Sequence, residues 1–348
     1  MKNFKSRMSN IELLRIFSML GVLIVHADFG SLGWPTQEEL LNVPVYTVIR
    51  IFIEAFAIVA VNVFVLISGW FGINFRWSSL AKLLFQCTFF FFGIYIIGNL
   101  CGFIQIGLAQ GIYKCLMLSE NAWFVKSYLG MFIFAPVMNS FIENYSRKQV
   151  KTFLICFFIF QSIYGWLSNG AAFILDGYSA FSFMGLYILA RYVRIYKPKW
   201  SLWNFKKDIL VYSAFSLITA FIMLSLTYSE KYNYLFAIFM RYSSLLIICA
   251  ALFILLAFSK LSFNNRIINW IASSCFAVYL FHFILFPQFM STWIKYIAKE
   301  YNGFMMLLLI LILLICFYIT AVLIDKVRIF IWDSVLAKYF VKYDTNKG

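Results

Sequence analysis

Two ionisable residues, Arg15 and His26, stand inside the first long apolar run of this chain, LLRIFSMLGVLIVHADF. A charged side chain inside a membrane helix costs a few kcal/mol on insertion scales, so it marks a functional site by default. On a helix, the eleven-residue spacing brings the second side chain to within about 20° of the first and about 16 Å further along the axis. Arginine is a permanent planar cation suited to phosphate and carboxylate, whereas histidine exchanges a proton near neutral pH. One face of one helix would therefore join an anion-binding end to an acid–base end. The plainer alternative is that Arg15 snorkels to the headgroups and His26 marks the far interface.

Further polar residues lie in or beside apolar runs. Arg50 and Glu54 are spaced i,i+4 and can pair with each other; facing a bundle interior, Glu54 could instead orient a histidine. In VNVFVLISGWFGINFR, Asn62, Ser68 and Gly69 suit close helix approach or a substrate tunnel. Arg76 and Lys82 flank the next connection, and Arg191 and Arg194 end a later run. Each pair either enforces topology or binds a phosphorylated cytosolic ligand. Trp123 begins another run, where Trp is commonly an interfacial anchor. His282, three residues after Tyr279, is either a structural or a catalytic histidine. The candidate catalytic set is thus His26, Glu54 and His282; the candidate substrate-binding set is Arg15, Arg76, Lys82, Ser68, Trp123 and Tyr279.

The composition dictates what must position these residues. Hydrophobic residues make up 63% of the chain and charged ones 12%, against about 25% charged in ordinary soluble domains. Apolar segments recur from end to end, so the fold class is an all-α polytopic transmembrane bundle forming a single domain over 1–348. Ten spans are expected, at about 11–29, 45–73, 80–106, 123–142, 150–168, 172–191, 209–227, 235–258, 267–289 and 303–325. Under that map the connections on the terminal side, including Lys2, Lys5, Arg7, Arg147, Lys148, Lys206 and Lys207, hold most Lys and Arg. The opposite loops hold only Lys114, Lys231, Lys295 and Lys299, and the first of them carries Glu38 and Glu39. The positive-inside rule then puts both termini in the cytoplasm, with Arg15 near the inner and His26 near the outer membrane face. The net charge of +15 is explained by this distribution and needs no nucleic acid. The basic start and following apolar run read as a retained first helix, because the run is too long for a signal peptide and contains Arg15. Seven cysteines show no C-x-x-C pair, and two histidines argue against a His-ligated zinc site. Gly98 and Gly102 form a G-x-x-x-G in the third span, a pattern associated with close helix packing.

In this order, the residues resemble the integral membrane acyltransferases of the acyltransferase-3 type, whose signature is an Arg, ten residues, then a His in the first helix. The resemblance continues through VNVFVLISGWFGI, WFVKSYLGMFIFAPVMN, FMGLYILARYVRIY and SSCFAVYLFHF, covering essentially the whole chain. It implies a stand-alone member, without the esterase-like soluble domain that some relatives carry. It also implies transfer of an acyl group, usually acetyl, from cytosolic acyl-CoA to a hydroxyl of an extracytoplasmic glycan or lipid-linked sugar. Acetyl-CoA would be a donor substrate and no tightly bound cofactor is expected; membrane lipids, but no nucleic acid, would be partners. The chemistry suits the residues: CoA phosphates need cations such as Arg15, Arg76 or Lys82, and a neutral imidazole can take a hydroxyl proton during attack. His26 would be that base, or would itself carry the acyl group transiently.

Two other classes compete. A transporter or flippase for a lipid-linked or small anionic substrate also places ionisable residues at mid-membrane, but no inverted repeat is visible and only five prolines occur. A glycan polymerase would need large outer loops, which this chain lacks.

Overall fold

Long runs of Leu, Ile, Phe and Val leave the backbone no aqueous partner, so each run must satisfy its own hydrogen bonds by coiling into a helix. The computed structural model describes residues 8–102, 104–118, 122–167, 173–229, 235–285 and 289–340, and these contain helices and no strand. In chain order the α-helices are α1 (Ser9–Val25), α2 (Gln37–Asn42), α3 (Pro44–Ala57), α4 (Ala60–Phe71), α5 (Trp77–Leu100), α6 (Leu108–Cys115), α7 (Trp123–Asn144), α8 (Arg147–Leu167), α9 (Ala180–Tyr196), α10 (Phe205–Ser229), α11 (Leu235–Met240), α12 (Leu245–Ser259), α13 (Arg266–Ala272), α14 (Cys275–Leu285), α15 (Ser291–Glu300) and α16 (Gly303–Ile331). A π-helical segment, His26–Leu32, continues α1.

Seven stretches among the described residues are long and apolar enough to cross a membrane, or eight if the bent pair α13–α14 is one span. The protein is thus a multi-pass membrane protein. The expected spans at α8 and α9 are not among these stretches; the 17 residues of α9 reach about 26 Å against a hydrocarbon core of about 30 Å. α9 nevertheless runs alongside α7. Ser127 Oγ donates to the Tyr178 carbonyl (2.9 Å) just before α9, and Tyr196 at the far end of α9 donates to the Ile142 carbonyl (3.1 Å). α9 therefore parallels α7, and α8 packs against α9.

Several boundaries move for local reasons. The expected 80–106 span stops at Leu100, because Gly102 adopts a left-handed φ of +76°, a conformation that ends helices. Gly102 consequently lies beyond the helix and Gly98 meets Ile104 of the following segment, so the G-x-x-x-G is not a helix–helix interface. Gly69 is the real close approach: a Cβ there would strike the backbone of Tyr187, which lets α4 pack directly on α9. α4 also packs against α1 and α12, and its buried Val63, Val65, Leu66 and Ile67 sit at the centre of the core.

Hydrogen bonds fix which ends of the helices lie together. At the start of α1, Asn10 Nδ2 donates to the carbonyls of Phe258 (2.9 Å) and Leu261 (2.7 Å), and Ser9 Oγ donates to Asn269 Oδ1 (2.9 Å). Late in α16, Lys326 Nζ reaches Ser273 Oγ at 2.8 Å, in the break between α13 and α14. At the opposite end Gln37 Nε2 donates to the Tyr228 carbonyl (2.6 Å), and α15 packs against the π segment. Lys2, Lys5, Arg7 and Lys231 lie outside the described residues. Glu38 and Lys206 are both exposed, at the two ends of the bundle. Cysteines placed singly at 38 and 206, in an active cysteine-depleted background, should therefore react from opposite sides with an impermeant thiol reagent. Labelling of both from one side would contradict this arrangement.

Candidate active site

Four residues on one face of α1, Arg15, Met19, Val22 and His26, line a single cavity of about 320 Å³. The facing walls come from Val61, Phe64 and Ser68 of α4, Leu83 and Gln86 of α5, and Trp123, Phe124 and Tyr128 of α7. The bent pair closes it with Ala272, Ser273, Phe276, Tyr279 and Phe283. The i, i+4, i+7, i+11 progression along α1 delivers Arg15 and His26 to the same space, as the spacing predicts. Five of the nine candidate residues, Arg15, Ser68, His26, Trp123 and Tyr279, share this wall.

His26 stands where α1 passes from α to π winding, a rare geometry found mostly at functional sites. Its Nδ1 lies 2.8 Å from the Val22 carbonyl. A carbonyl oxygen only accepts, so Nδ1 carries the hydrogen and, in the neutral ring, Nε2 carries the lone pair. The ring of His282 packs on that of His26 with centroids 4.7 Å apart. His282 is buried and is not among the cavity-lining residues.

The π segment is held from α3. Buried Arg50 donates from Nε to Asp28 Oδ1 and from Nη2 to the Gly33 carbonyl, both at 2.6 Å. Glu39 approaches Nη1 at 3.6 Å while forming a capping box with Thr36 at the start of α2. The expected Arg50–Glu54 pair is therefore replaced by Arg50–Asp28: the π turn swings Asp28 toward Arg50. Glu54 is buried, its Oε2 has no hydrogen-bond partner among the described residues, and it does not line the cavity.

At the other end Arg15 Nη1 donates to Glu12 Oε2 at 2.8 Å. Gln86 donates to Asp325 Oδ1 (3.1 Å), which Arg328 also grips through Nε (2.6 Å). Ser68 Oγ donates to the Phe64 carbonyl (3.1 Å) and lies 3.3 Å from Tyr128 Oη. The Tyr279 hydroxyl is buried without a hydrogen-bond partner among the described residues, and its ring stacks between Phe276 and Phe283. Trp123 packs its ring on Tyr178 at 4.4 Å. Arg76 and Lys82 are exposed and contribute nothing to the cavity wall. Asn62 and Gly69 serve packing: Asn62 Nδ2 donates to the Tyr242 carbonyl at 2.9 Å.

Glu12, Asp28, Gln86 and Tyr128 were not singled out by sequence reasoning. Glu12 was findable three residues before Arg15, and Gln86 as an amide within an apolar run. Asp28 was not, since 22 residues separate it from Arg50. Among the described residues no group of three His, Cys, Asp or Glu side chains could hold a metal ion.

A family model described as an acyltransferase domain matches residues 8–325, nearly the whole described chain. No curated protein and no solved structure matches the chain.

Removing one partner of a buried ion pair strands the other charge, at a cost of about 3–5 kcal/mol. Arg50→Met should accordingly lower thermal stability in detergent markedly, and Asp28→Asn combined with Arg50→Met should recover part of the loss. Additive destabilisation in the double variant would show the two residues to be energetically independent.

Proposed function

We propose a reaction for this chain, which belongs to the acyltransferase-3 family and is a membrane acyltransferase: it moves an acyl group, acetyl in the first instance, from acyl-CoA to a hydroxyl of an extracytoplasmic or lipid-linked glycan. The observation that carries this reading is the single cavity with a fixed cation, Arg15, toward one end and an oriented imidazole, His26, toward the other. We place the Arg15 end in the cytoplasm of a ten-crossing protein of the cytoplasmic membrane, because the basic residues favour that side. Acyl-CoA enters as a substrate from there, and the reading requires no resident cofactor. The cavity volume of about 320 Å³ is at the lower end of small-molecule sites. It suits a slim thioester arm between helices, with the polyanionic nucleotide left at the basic mouth.

In the proposed step the acceptor oxygen attacks the thioester carbonyl while His26 Nε2 takes the hydroxyl proton. The tetrahedral intermediate collapses, the C–S bond breaks, and the imidazolium returns its proton to the departing thiolate. The products are the ester and free CoA, with His26 neutral again. The Val22 carbonyl keeps Nδ1 protonated throughout, as the orienting partner of a catalytic histidine does elsewhere. His282 supports the ring of His26 by packing, and Tyr279 offers its hydroxyl near the reacting atoms. Ser68 and Trp123 shape the wall, while Arg76 and Lys82 act outside the cavity, on the nucleotide at the mouth. Glu54 acts on the π segment from behind the wall.

Loss of a general base costs about 10²- to 10⁴-fold. His26→Ala and His26→Gln should each reduce glycan acylation by at least about 100-fold with normal membrane insertion; near-normal acylation in either would remove His26 from the mechanism. A charge-assisted hydrogen bond contributes about 1.5–3 kcal/mol, so Arg15→Ala should weaken acyl-CoA binding about 10- to 100-fold, and Arg15→Lys should recover only part of it. Unchanged acyl-CoA affinity in Arg15→Ala would move Arg15 from donor binding to pairing with Glu12.

A further inference from the structure

A second cavity, of about 510 Å³, lies at the basic end of the bundle, roofed by the strap that links α9 to α10. Its wall includes Arg194, Lys197 and Lys260 together with Trp70, Ser201 and Trp203. It shares no lining residue with the cavity between Arg15 and His26. Trp70 stands two positions after Ser68 on α4, about 200° around the helix, so the two cavities open on opposite faces of α4.

The strap is built rather than loose. Lys197 caps α9 in a left-handed conformation (φ 42°, ψ 63°), Pro198 follows, and a 3₁₀ turn spans Lys199–Leu202. Buried Ser201 locks that turn by donating to the Pro198 carbonyl at 2.8 Å. The Arg194 guanidinium lies over the Trp70 ring, 4.8 Å from its centroid. Stacking of this kind leaves the in-plane N–H groups of the guanidinium available to an anion. Lys260 is paired with buried Asp208, which holds its ammonium at the wall. Arg194 and Lys197 are exposed and form no ion pair among the described residues. Trp70 itself is 5% exposed, and its indole N–H is buried with no hydrogen-bond partner among the described residues. An N–H in that state costs free energy until an acceptor reaches it.

We propose that this cavity binds a phosphate group, presented by the head group of an anionic phospholipid, at a site separate from acyl transfer. Arg194 and Lys197, which have no ion pair among the described residues, and the unsatisfied N–H call for a multiply accepting anion, and phosphate oxygens meet both. Leu202, Trp203 and Phe205 are exposed at the rim, and an aromatic and aliphatic rim beside basic groups is the pattern of a membrane–water boundary. A lipid brings the phosphate to that depth with acyl chains that cover the rim. A free phosphate offers the same head-group chemistry without the chains.

The test is native mass spectrometry of the purified full-length protein in detergent, titrated with phosphatidylglycerol. The wild-type chain should retain one tightly held phosphatidylglycerol. Removing a basic residue that meets the lipid head group weakens its binding about five-fold, so Arg194→Gln with Lys197→Gln, both in the cavity wall, should lower retention by at least that factor. Trp70→Phe, which keeps a ring beneath Arg194 but deletes the N–H, should also lower it. Lys206→Gln with Lys207→Gln, removing two exposed charges outside the cavity, should leave retention unchanged. Equal loss in this control, or no loss in the cavity variants, would overturn the site. Millimolar inorganic phosphate should not displace the lipid; displacement would overturn the lipid assignment in favour of a soluble phosphate.

Discussion

A π turn inside an apolar span disturbs the regular i→i−4 hydrogen-bond ladder just where no water can repair it. That constraint governs the His26 end of the molecule. The turn persists because Arg50 crosses from α3 to take both Asp28 and the Gly33 carbonyl, tying the start and end of the π segment to one guanidinium. Ser31 adds a hydrogen bond from its hydroxyl back to the His26 carbonyl at 3.3 Å. The ring of His26 is then fixed at three points: by the backbone at the α-to-π junction, by Nδ1 on the Val22 carbonyl, and by the face of His282. A planar fork with several donors can serve two acceptors at once, which a lysine at position 50 could not. The clamp therefore acts on the chemistry at one remove, through the backbone that carries the imidazole.

The sequence made the α1 face legible because a helix imposes its own arithmetic. Once 11–29 is helical, residues 15 and 26 share a face, and any cavity on that face can be lined by both, as it is here. The all-helical class was equally legible, since hydropathy determines it without tertiary knowledge. Contacts between distant segments were not. Arg50 has an acid at i+4 and another 22 residues away in sequence, and only the π turn decides between them. The G-x-x-x-G at Gly98 reads as packing in a one-dimensional pattern, yet the helix ends before its second glycine. Conversely Gly69, flanked by Ser68 and Trp70 without any small-x-x-x-small partner, is where two backbones meet.

Spans are hardest to read from sequence where a helix is short but enclosed by its neighbours. α9 is only 17 residues long, but its buried face, from Phe183 through Leu186, Tyr187 and Ala190 to Val193, is inserted between α4, α7 and α8. A helix so enclosed by protein does not need a full hydrocarbon thickness of apolar residues, because its neighbours meet the lipid for it. The polar strap after Tyr196 can then dip toward the bundle and roof a basic cavity. The shortness that removes α9 from a hydropathy count is what makes room for that strap.

Basic residues at one end of a membrane protein serve two masters, orientation and anion binding, and a count of Lys and Arg cannot separate them. Side-chain placement can. Arg76 and Lys82 are exposed outside the cavity wall, where they can bias orientation and still meet an anion that arrives at the mouth. Arg15, by contrast, lies in a cavity wall with Glu12 beside it, where desolvation makes a cation costly unless it has an anion to meet. Glu12 satisfies one edge of the guanidinium and leaves the fork's remaining donors for a ligand. The same logic applies to Arg194, whose face is covered by Trp70 and whose edge is not. In both places an aromatic or acidic neighbour fixes the arginine on one side only. A residue meant only to bias topology needs no such fixing, since its charge acts equally well on a freely moving side chain.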